Sequence, residues 1–215
     1  SYFFLEQWIV LVAPNVGYKS LSWNAFKPLF PPLDRFWADP FVLARDNKYY
    51  VFIEELLYST NLGRIVCLTL DRDLNILSNQ VVLERPYHLS YPFVFEYDGQ
   101  LYMMPETKRN NAIELYRCTH FPDRWEFEKT LISDVRAVDA TLLNYQDKWW
   151  LFASIDSEAG STWDTLHIFH ADHPTSDQWI PHPLNPVVKD VTSARPAGCI
   201  FLENGSLIRP SQDCS

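Results

Sequence analysis

The chain has 215 residues, of which 47% are hydrophobic and 15% aromatic, and this favours one globular domain with a sizeable core. Its formal charge is −9 and it contains no run of lysine or arginine, which argues against a nucleic-acid partner. The apolar start at 1–12 has no basic segment before it and no apolar run could span a bilayer, so we expect a soluble chain of unknown compartment, without signal peptide or membrane span.

Four stretches share one outline, in which a polar or charged residue opens an apolar strand. They recur at steps of 52, 48 and 56 residues, at 38–42, 90–94, 138–142 and 194–198. Each stretch continues into a polar turn and a second strand, and the Asp-Gly and Asn-Gly pairs at two of these turns are strong hairpin signals. A third strand follows in the first three copies, and a fourth strand begins near Trp125 and near Trp179.

Four short strands in each repeat of about 50 residues, without helical periodicity, indicate the blades of an all-β β-propeller. An irregular β-sandwich is the alternative. The predicted single domain, 1–215, begins with the outer strands of one blade at 1–35. Complete blades follow at 36–87, 88–136 and 137–191, and a further blade starts at 192–215. Either the two ends of the chain pair and close a four-bladed ring, or the chain is cut short of another blade.

The cysteines and histidines give no support for a metal site. Cys67 and Cys118 lie at matching points of the repeat and are predicted core residues, whereas a disulfide between Cys199 and Cys214 stays open. The histidines within 167–173 are three residues apart, which on a strand places neighbours on opposite faces. The sequence therefore predicts neither a metal nor a cofactor.

The starts of the innermost strands are expected to converge at the mouth of the propeller. They carry Asp39, Tyr91, Asp139 and Arg195. Two carboxyl groups at one mouth suit acid–base chemistry, although ion pairs between these aspartates and Arg195 across the axis are the structural alternative. In either case we expect Arg195 to lower the pKa of both aspartates.

A second group of residues is expected one strand further out, at the ends of the second strands. Glu106 is the carboxyl group there that we nominate as a proton donor. A salt bridge from Glu106 to Lys108 or Arg109 is the alternative interpretation.

The motif 38–40, Ala-Asp-Pro, together with Asp139, resembles the five-bladed propellers of arabinanase, xylosidase and levansucrase-type glycoside hydrolases. The resemblance implies that Asp39 is a general base or nucleophile and that Asp139 tunes its pKa and holds the sugar. In these families a glutamic acid opens the fourth blade as the general acid. This chain carries Arg195 there, so the resemblance breaks at the general acid.

The chain is more closely similar to a branch of this superfamily. This branch comprises the propeller domain N-terminal to the glycosyltransferase of plant inositolphosphorylceramide glucosaminyltransferases and its relatives beside bacterial formyltransferase-like domains. The stretches that carry the likeness are 36–41, 91–106, 139–142, 194–198 and 209–213. The resemblance implies five blades and a transferase domain in the same polypeptide.

These observations lead to three hypotheses about function. The first is a carbohydrate-active, glycoside-hydrolase-like propeller with a sugar site at the central mouth, where Asp39, Asp139 and Glu106 are the catalytic candidates. The predicted substrate-binding residues are Trp37, Tyr91, Arg195, Arg209 and Gln212. The second is a non-catalytic module that binds a glycan, glycoconjugate or nucleotide-sugar beside a glycosyltransferase or formyltransferase. The third is a protein-interaction propeller.

Overall fold

A computed structural model describes residues 7–14, 22–156 and 161–215. These residues form seventeen β-strands and two short 3₁₀ turns, Trp23–Ala25 and Lys108–Asn110, with no α-helix among them. No helix in these ranges is therefore long and apolar enough to cross a membrane. The all-β prediction is confirmed.

Three sheets are built from consecutive antiparallel strands, two of them with four strands and the third with five, and we call them blades 1, 2 and 3. Blade 1 comprises β3 (Arg35–Arg45), β4 (Lys48–Leu57), β5 (Leu62–Leu70) and β6 (Ile76–Leu83). Blade 2 comprises β7 (Ser90–Tyr97), β8 (Gln100–Glu106), β9 (Ala112–His120) and β10 (Arg124–Ser133). Blade 3 comprises β11 (Ala137–Tyr145), β12 (Lys148–Ile155), β13 (Thr165–Ala171) and, in place of a single fourth strand, two short outer strands, β14 (Ile180–Pro181) and β15 (Val188–Lys189).

The outer edge of blade 3 is divided because its segment is rich in proline. Strands β14 and β15 both pair with β13, but at opposite ends of it. Between them lie Pro183 and Pro186, and proline has no N–H to donate to a ladder. The predicted fourth strand near Trp179 therefore exists only as two fragments.

The blades stack in chain order, with their first strands packed against one another. Strand β3 contacts β7, and β7 contacts β11. One apolar cluster joins blades 1 and 2 through residues such as Phe52 and Met103, and another joins blades 2 and 3 through residues such as Phe95 and Leu151. The first strand of each blade is consequently the innermost one, and residues at its start lie beside those of the next blade.

Two small sheets flank the blades. Strands β1 (Val10–Val12) and β2 (Lys27–Leu29) pair with each other and pack against blade 1 through Val10 and Leu29. Strands β16 (Phe201–Glu203) and β17 (Ser206–Ile208) form a hairpin after blade 3. No strand pairing joins the two small sheets within the described ranges, so ring closure and blade number stay predictions.

All four cysteines are free thiols. Cys67 and Cys118 are buried in the cluster between blades 1 and 2, as predicted from their matching positions. Cys199 is exposed and Cys214 is half-buried, and the disulfide that the sequence left open between them is not formed.

Candidate functional site

The three innermost strands carry the same backbone irregularity near their starts. Asp39, Tyr91 and Asp139 have positive φ angles of 51°, 43° and 54°, and the strand register slips at each of them. A β-bulge inserts one residue into a strand and re-aims its side chain, and a positive φ at a non-glycine residue costs on the order of 1–3 kcal/mol. The sequence repeat thus corresponds to a repeated, strained bulge, a feature that clusters at functional sites.

The first of these bulges borders a cleft of about 360 Å³. Asp39 lies at its wall, with Trp8 and the segment around Gly198 on other sides and Gln212 contributing from the C-terminal segment. Asp39 Oδ2 accepts a hydrogen bond of 3.3 Å from the backbone N–H of Tyr91, which fixes the carboxyl group in place. Asp39 is the one predicted catalytic residue among those lining this cleft.

Asp139, at the third bulge, is completely buried. Its Oδ2 accepts a hydrogen bond from Arg195 Nε, and its Oδ1 has no hydrogen-bond partner in the part of the chain that the structure describes. Burial raises the pKa of Asp139, while the charge and hydrogen bond of Arg195 act against that rise. Arg195 therefore compensates the charge of the buried carboxylate. This is the ion pair with Arg195 that the sequence offered as the structural alternative for Asp139.

The carboxyl groups of Asp39 and Glu106 both bind protons more strongly than ordinary acids. Burial, followed by the negative charges of Asp139 and Glu54, raises the pKa of Asp39 to about 7. Burial and then the charge of Asp139 raise the pKa of Glu106 well above its ordinary value. Lys108, one of the two residues named in the salt-bridge alternative for Glu106, donates to Thr162 Oγ1 at 3.2 Å.

As predicted, Arg195 acts to lower the pKa of Asp39 and of Asp139, but the pKa values of both aspartates are raised overall. Desolvation is the largest cause in each case, because a carboxylate out of water loses its hydration. In addition, the carboxyl groups of this cluster repel one another: the charges of Asp139 and Glu54 raise the pKa of Asp39, and the charges of Asp139 and Asp39 raise that of Glu106.

Glu54 is a buried carboxylate that lies behind the first bulge. It is paired across the strands with Ala38, the residue next to Asp39. His88 Nε2 lies 3.2 Å from Glu54 Oε1, and the backbone N–H of Gly63 donates to His88 Nδ1 at 3.0 Å. These contacts connect β4, β5 and the segment before β7.

Tyr91 is part of a hydrogen-bonded chain through the interior. The N–H of Gly198 donates to Tyr91 Oη at 2.7 Å, and Tyr91 Oη lies 2.8 Å from Thr141 Oγ1, which donates to the carbonyl of Asp139 at 3.2 Å. The tyrosine ring packs edge-on against Phe41 with centroids 4.9 Å apart and is only 2% exposed. The hydroxyl proposed for substrate binding is thus already used within the protein, and burial raises its pKa.

The remaining predicted binding residues have supporting positions. Trp37 borders the cleft but is buried, and its Nε1–H donates to Glu55 Oε2 at 3.0 Å. Arg209 donates to the backbone carbonyl oxygens just before Arg195. The N–H of Gln212 donates to the Arg195 carbonyl at 3.0 Å, so the C-terminal segment braces the loop that presents Arg195.

The structure therefore brings Asp39, Asp139, Glu106 and Arg195 into one electrostatic cluster. Sequence reasoning missed the hydrogen bonds around Glu54. One signal was present in the repeat: Glu54 and Glu106 both pair with the residue that precedes a bulge. Another was Gly63, a glycine inside a strand, which often marks the close approach of another group.

Comparisons with known proteins give a family and a fold. Residues 27–215 match the family described as glucosamine inositolphosphorylceramide transferase 1, N-terminal. The rice (Oryza sativa subsp. japonica) protein named glucosamine inositolphosphorylceramide transferase 1 is 39% identical over 184 residues, which are 84% of this chain and 24% of that protein. The chain thus spans about a quarter of the length of the curated relatives it matches.

Solved structures of glycoside hydrolases share the fold at low sequence identity. The catalytic domain of a Coprinopsis cinerea GH62 α-L-arabinofuranosidase matches with a TM-score of 0.63 and 15% identity, covering 91% of this chain and 61% of that one. A thermostable family-43 glycoside hydrolase matches with a TM-score of 0.56 and 12% identity, covering 83% and 76%. The prediction of a β-propeller of the glycoside-hydrolase type is confirmed at the level of the fold.

Proposed function

The chain belongs to the family of the N-terminal domain of glucosamine inositolphosphorylceramide transferase 1, and from this premise we propose that it binds the carbohydrate part of a glycoconjugate in the cleft beside Asp39. The domain then serves a transferase in the same polypeptide by holding the sugar portion of a substrate or product. The names of its relatives favour a glycoconjugate that carries glucosamine or inositol phosphate.

One observation carries this proposal. Asp39 sits at a strained bulge on the wall of a cleft, and its Oδ2 is fixed by the backbone of the neighbouring blade. A carboxyl group held in this way can hydrogen-bond to sugar hydroxyl groups without having to be ordered on binding. Asp139, its expected partner in hydrolysis, is withdrawn from the cleft, because it is completely buried and bound to Arg195.

Hydrolysis of a glycosidic bond is the second candidate, and a different observation favours it. Asp39, with a pKa of about 7, and Glu106, with a pKa well above ordinary, are both able to hold and release a proton. Hydrolysis needs one carboxyl group to protonate the leaving oxygen and another to activate water or attack the sugar. In this proposal Glu106 is the proton donor, Asp39 the base and Asp139 the residue that orients them.

Saturation-transfer-difference NMR on the protein with glucosamine, myo-inositol and glucose tests the binding proposal. We expect a signal for at least one sugar in the wild type and a loss of at least tenfold in affinity for Asp39→Asn. Asp147→Asn is the matched control, because this carboxyl group is exposed in the β11–β12 turn. Equal binding by Asp39→Asn and the wild type, or no binding of any sugar, would overturn the proposal.

The same proteins distinguish binding from hydrolysis. Incubation with aryl glycosides and oligosaccharides, followed by measurement of released product, should give no turnover if the domain only binds. Turnover that disappears in both Asp39→Asn and Glu106→Gln, but persists in Asp147→Asn, would establish the hydrolytic candidate instead.

A further inference from the structure

The hydrogen bonds around His88 determine which of its ring nitrogens carries the proton. The backbone N–H of Gly63 points at Nδ1 from 3.0 Å, so Nδ1 must be an acceptor. The proton of the neutral ring therefore lies on Nε2, which is 3.2 Å from Glu54 Oε1. A doubly protonated ring would set an N–H at Nδ1 against the N–H of Gly63.

Gly63 leaves the space in which this arrangement fits. A Cβ at this position would lie 2.4 Å from the carbonyl oxygen of Leu89, 2.8 Å from His88 Cε1 and 2.9 Å from Glu54 Oε1. All three distances are shorter than a carbon atom tolerates, and the first is to backbone. The N–H of Leu89 also donates to the carbonyl of Gly63 at 2.9 Å, so the two chain segments are locked together.

The pair formed by His88 and Glu54 stands directly behind the residue that faces the cleft. Glu54 is paired with Ala38, and Asp39 follows as the extra residue of the bulge. A neutral histidine orients Glu54 without cancelling its charge, whereas a cation in the same place would neutralise it. The negative charge of Glu54 is one of the causes that raise the pKa of Asp39.

We propose that His88 and Glu54, accommodated by Gly63, are a positioning pair for Asp39: they place a negative charge next to the bulge that presents Asp39 to the cleft, and so control how Asp39 exchanges a proton with a ligand there. This inference rests on the proposed function only in taking the ligand of the cleft to be a sugar. The proton exchange of Asp39 itself can be measured without one.

The other charged groups that face Asp39 come from every neighbouring element. Asp139 on β11 acts in the same direction as Glu54, Arg195 acts against both, and the N–H of Tyr91 on β7 favours the ionised form. Glu106 on β8 also belongs to this cluster. Removal of Glu54 alone therefore lowers the pKa of Asp39 but does not return it to its ordinary value.

Carboxyl ¹³C NMR titration of Asp39 in the protein tests this assignment. We expect Glu54→Gln to shift the titration midpoint of Asp39 downward by about one pH unit, since a like charge nearby is lost. Glu55→Gln is the matched control, because Glu55 is the next residue on β4, is also buried and binds Trp37, Arg35 and Arg64 instead. It should leave the Asp39 midpoint unchanged.

The tautomer of His88 gives a second, independent readout. Long-range ¹H–¹⁵N NMR at pH 7.5 should show a proton on Nε2 and none on Nδ1 in the wild type. An unchanged Asp39 midpoint in Glu54→Gln, an equal shift in Glu55→Gln, or a proton on Nδ1 of His88 would each overturn the inference. Both measurements are made without a sugar. A protein that binds no sugar would therefore contradict the proposed function but not the inference about His88 and Glu54.

Discussion

Replacement of Arg195 by glutamine tests how the buried cluster is held together. The substitution removes the guanidinium group that donates to Asp139 Oδ2. Asp139 is completely buried, so the variant leaves its carboxylate without the guanidinium group that compensates its charge. Breaking a buried ion pair from one side costs about 3–5 kcal/mol.

The lower end of this range applies here because the Arg195 side chain is 24% exposed, and water screens part of its charge. We therefore expect Arg195→Gln to lose about 3 kcal/mol of unfolding free energy. In a domain of this size each kcal/mol corresponds to about 2–4 °C, so Tm should fall by about 6–12 °C.

The loss should also depend on pH. Without Arg195 the raised pKa of Asp139 rises further, so the folded state takes up a proton as the pH falls. Protonation removes the buried charge. The loss of unfolding free energy in Arg195→Gln, relative to the wild type, is therefore larger at pH 8 than at pH 5. Urea unfolding followed by circular dichroism at both pH values measures this difference.

Two further variants control the interpretation. Asp139→Asn combined with Arg195→Gln removes both charges and should recover at least half of the lost stability at pH 8. Arg124→Gln, at an exposed arginine of β10, should stay close to the wild type. A deficit for Arg195→Gln below about 1 kcal/mol at pH 8 would refute the reasoning, because the pair would then not compensate a buried charge.

Two other predictions follow from the same contacts. The folded protein holds the Asp39 proton up to about pH 7 whereas the unfolded chain releases it near pH 4, as is usual for aspartic acid, so this group makes the wild type lose stability as the pH rises between those values. Asp39→Asn should therefore have the higher urea midpoint at pH 8, and a lower midpoint there contradicts the assignment. Tyr91→Phe leaves the N–H of Gly198 without its acceptor and should cost about 1–2 kcal/mol in urea unfolding. Tyr145→Phe, at an exposed tyrosine, is its control, and equal midpoints for the two variants would contradict this prediction.

Much of the architecture could be predicted because a propeller repeats one local unit. The positions of Asp39, Tyr91 and Asp139 were equivalent in the sequence and are equivalent in space, down to the bulge and the positive φ that they share. Turn residues identified the hairpins, because residue pairs such as Asp-Gly and Asn-Gly, which favour a positive φ, lie between the paired strands. The fold class and the convergence of the candidate residues therefore followed from spacing and turn residues, whereas the roles of those residues came only from the family resemblance.

The electrostatics and the side-chain directions could not be predicted in the same way. The sign of the pKa change depends on how much water reaches a carboxyl group, and desolvation outweighs the nearby Arg195 at Asp39. The sequence also did not reveal that the polar groups of Trp37 and Tyr91 bond within the protein, to Glu55 and to Thr141. The position of His88 depends on a loop between blades, to which the repeat gives no guide.

The hydrogen-bonded chain from Gly198 through Tyr91 to Thr141 has a consequence for folding kinetics. Each blade is assembled from neighbouring hairpins, but this chain joins residues that are 107 and 50 positions apart. Closing such long loops is entropically costly, so these bonds should form after the rate-limiting barrier, when the blades are already stacked. Tyr91→Phe should then accelerate unfolding while leaving the refolding rate nearly unchanged. The hydrogen bonds of Tyr91 would thus stabilise the folded state only after the blades, which are built from local contacts, have assembled.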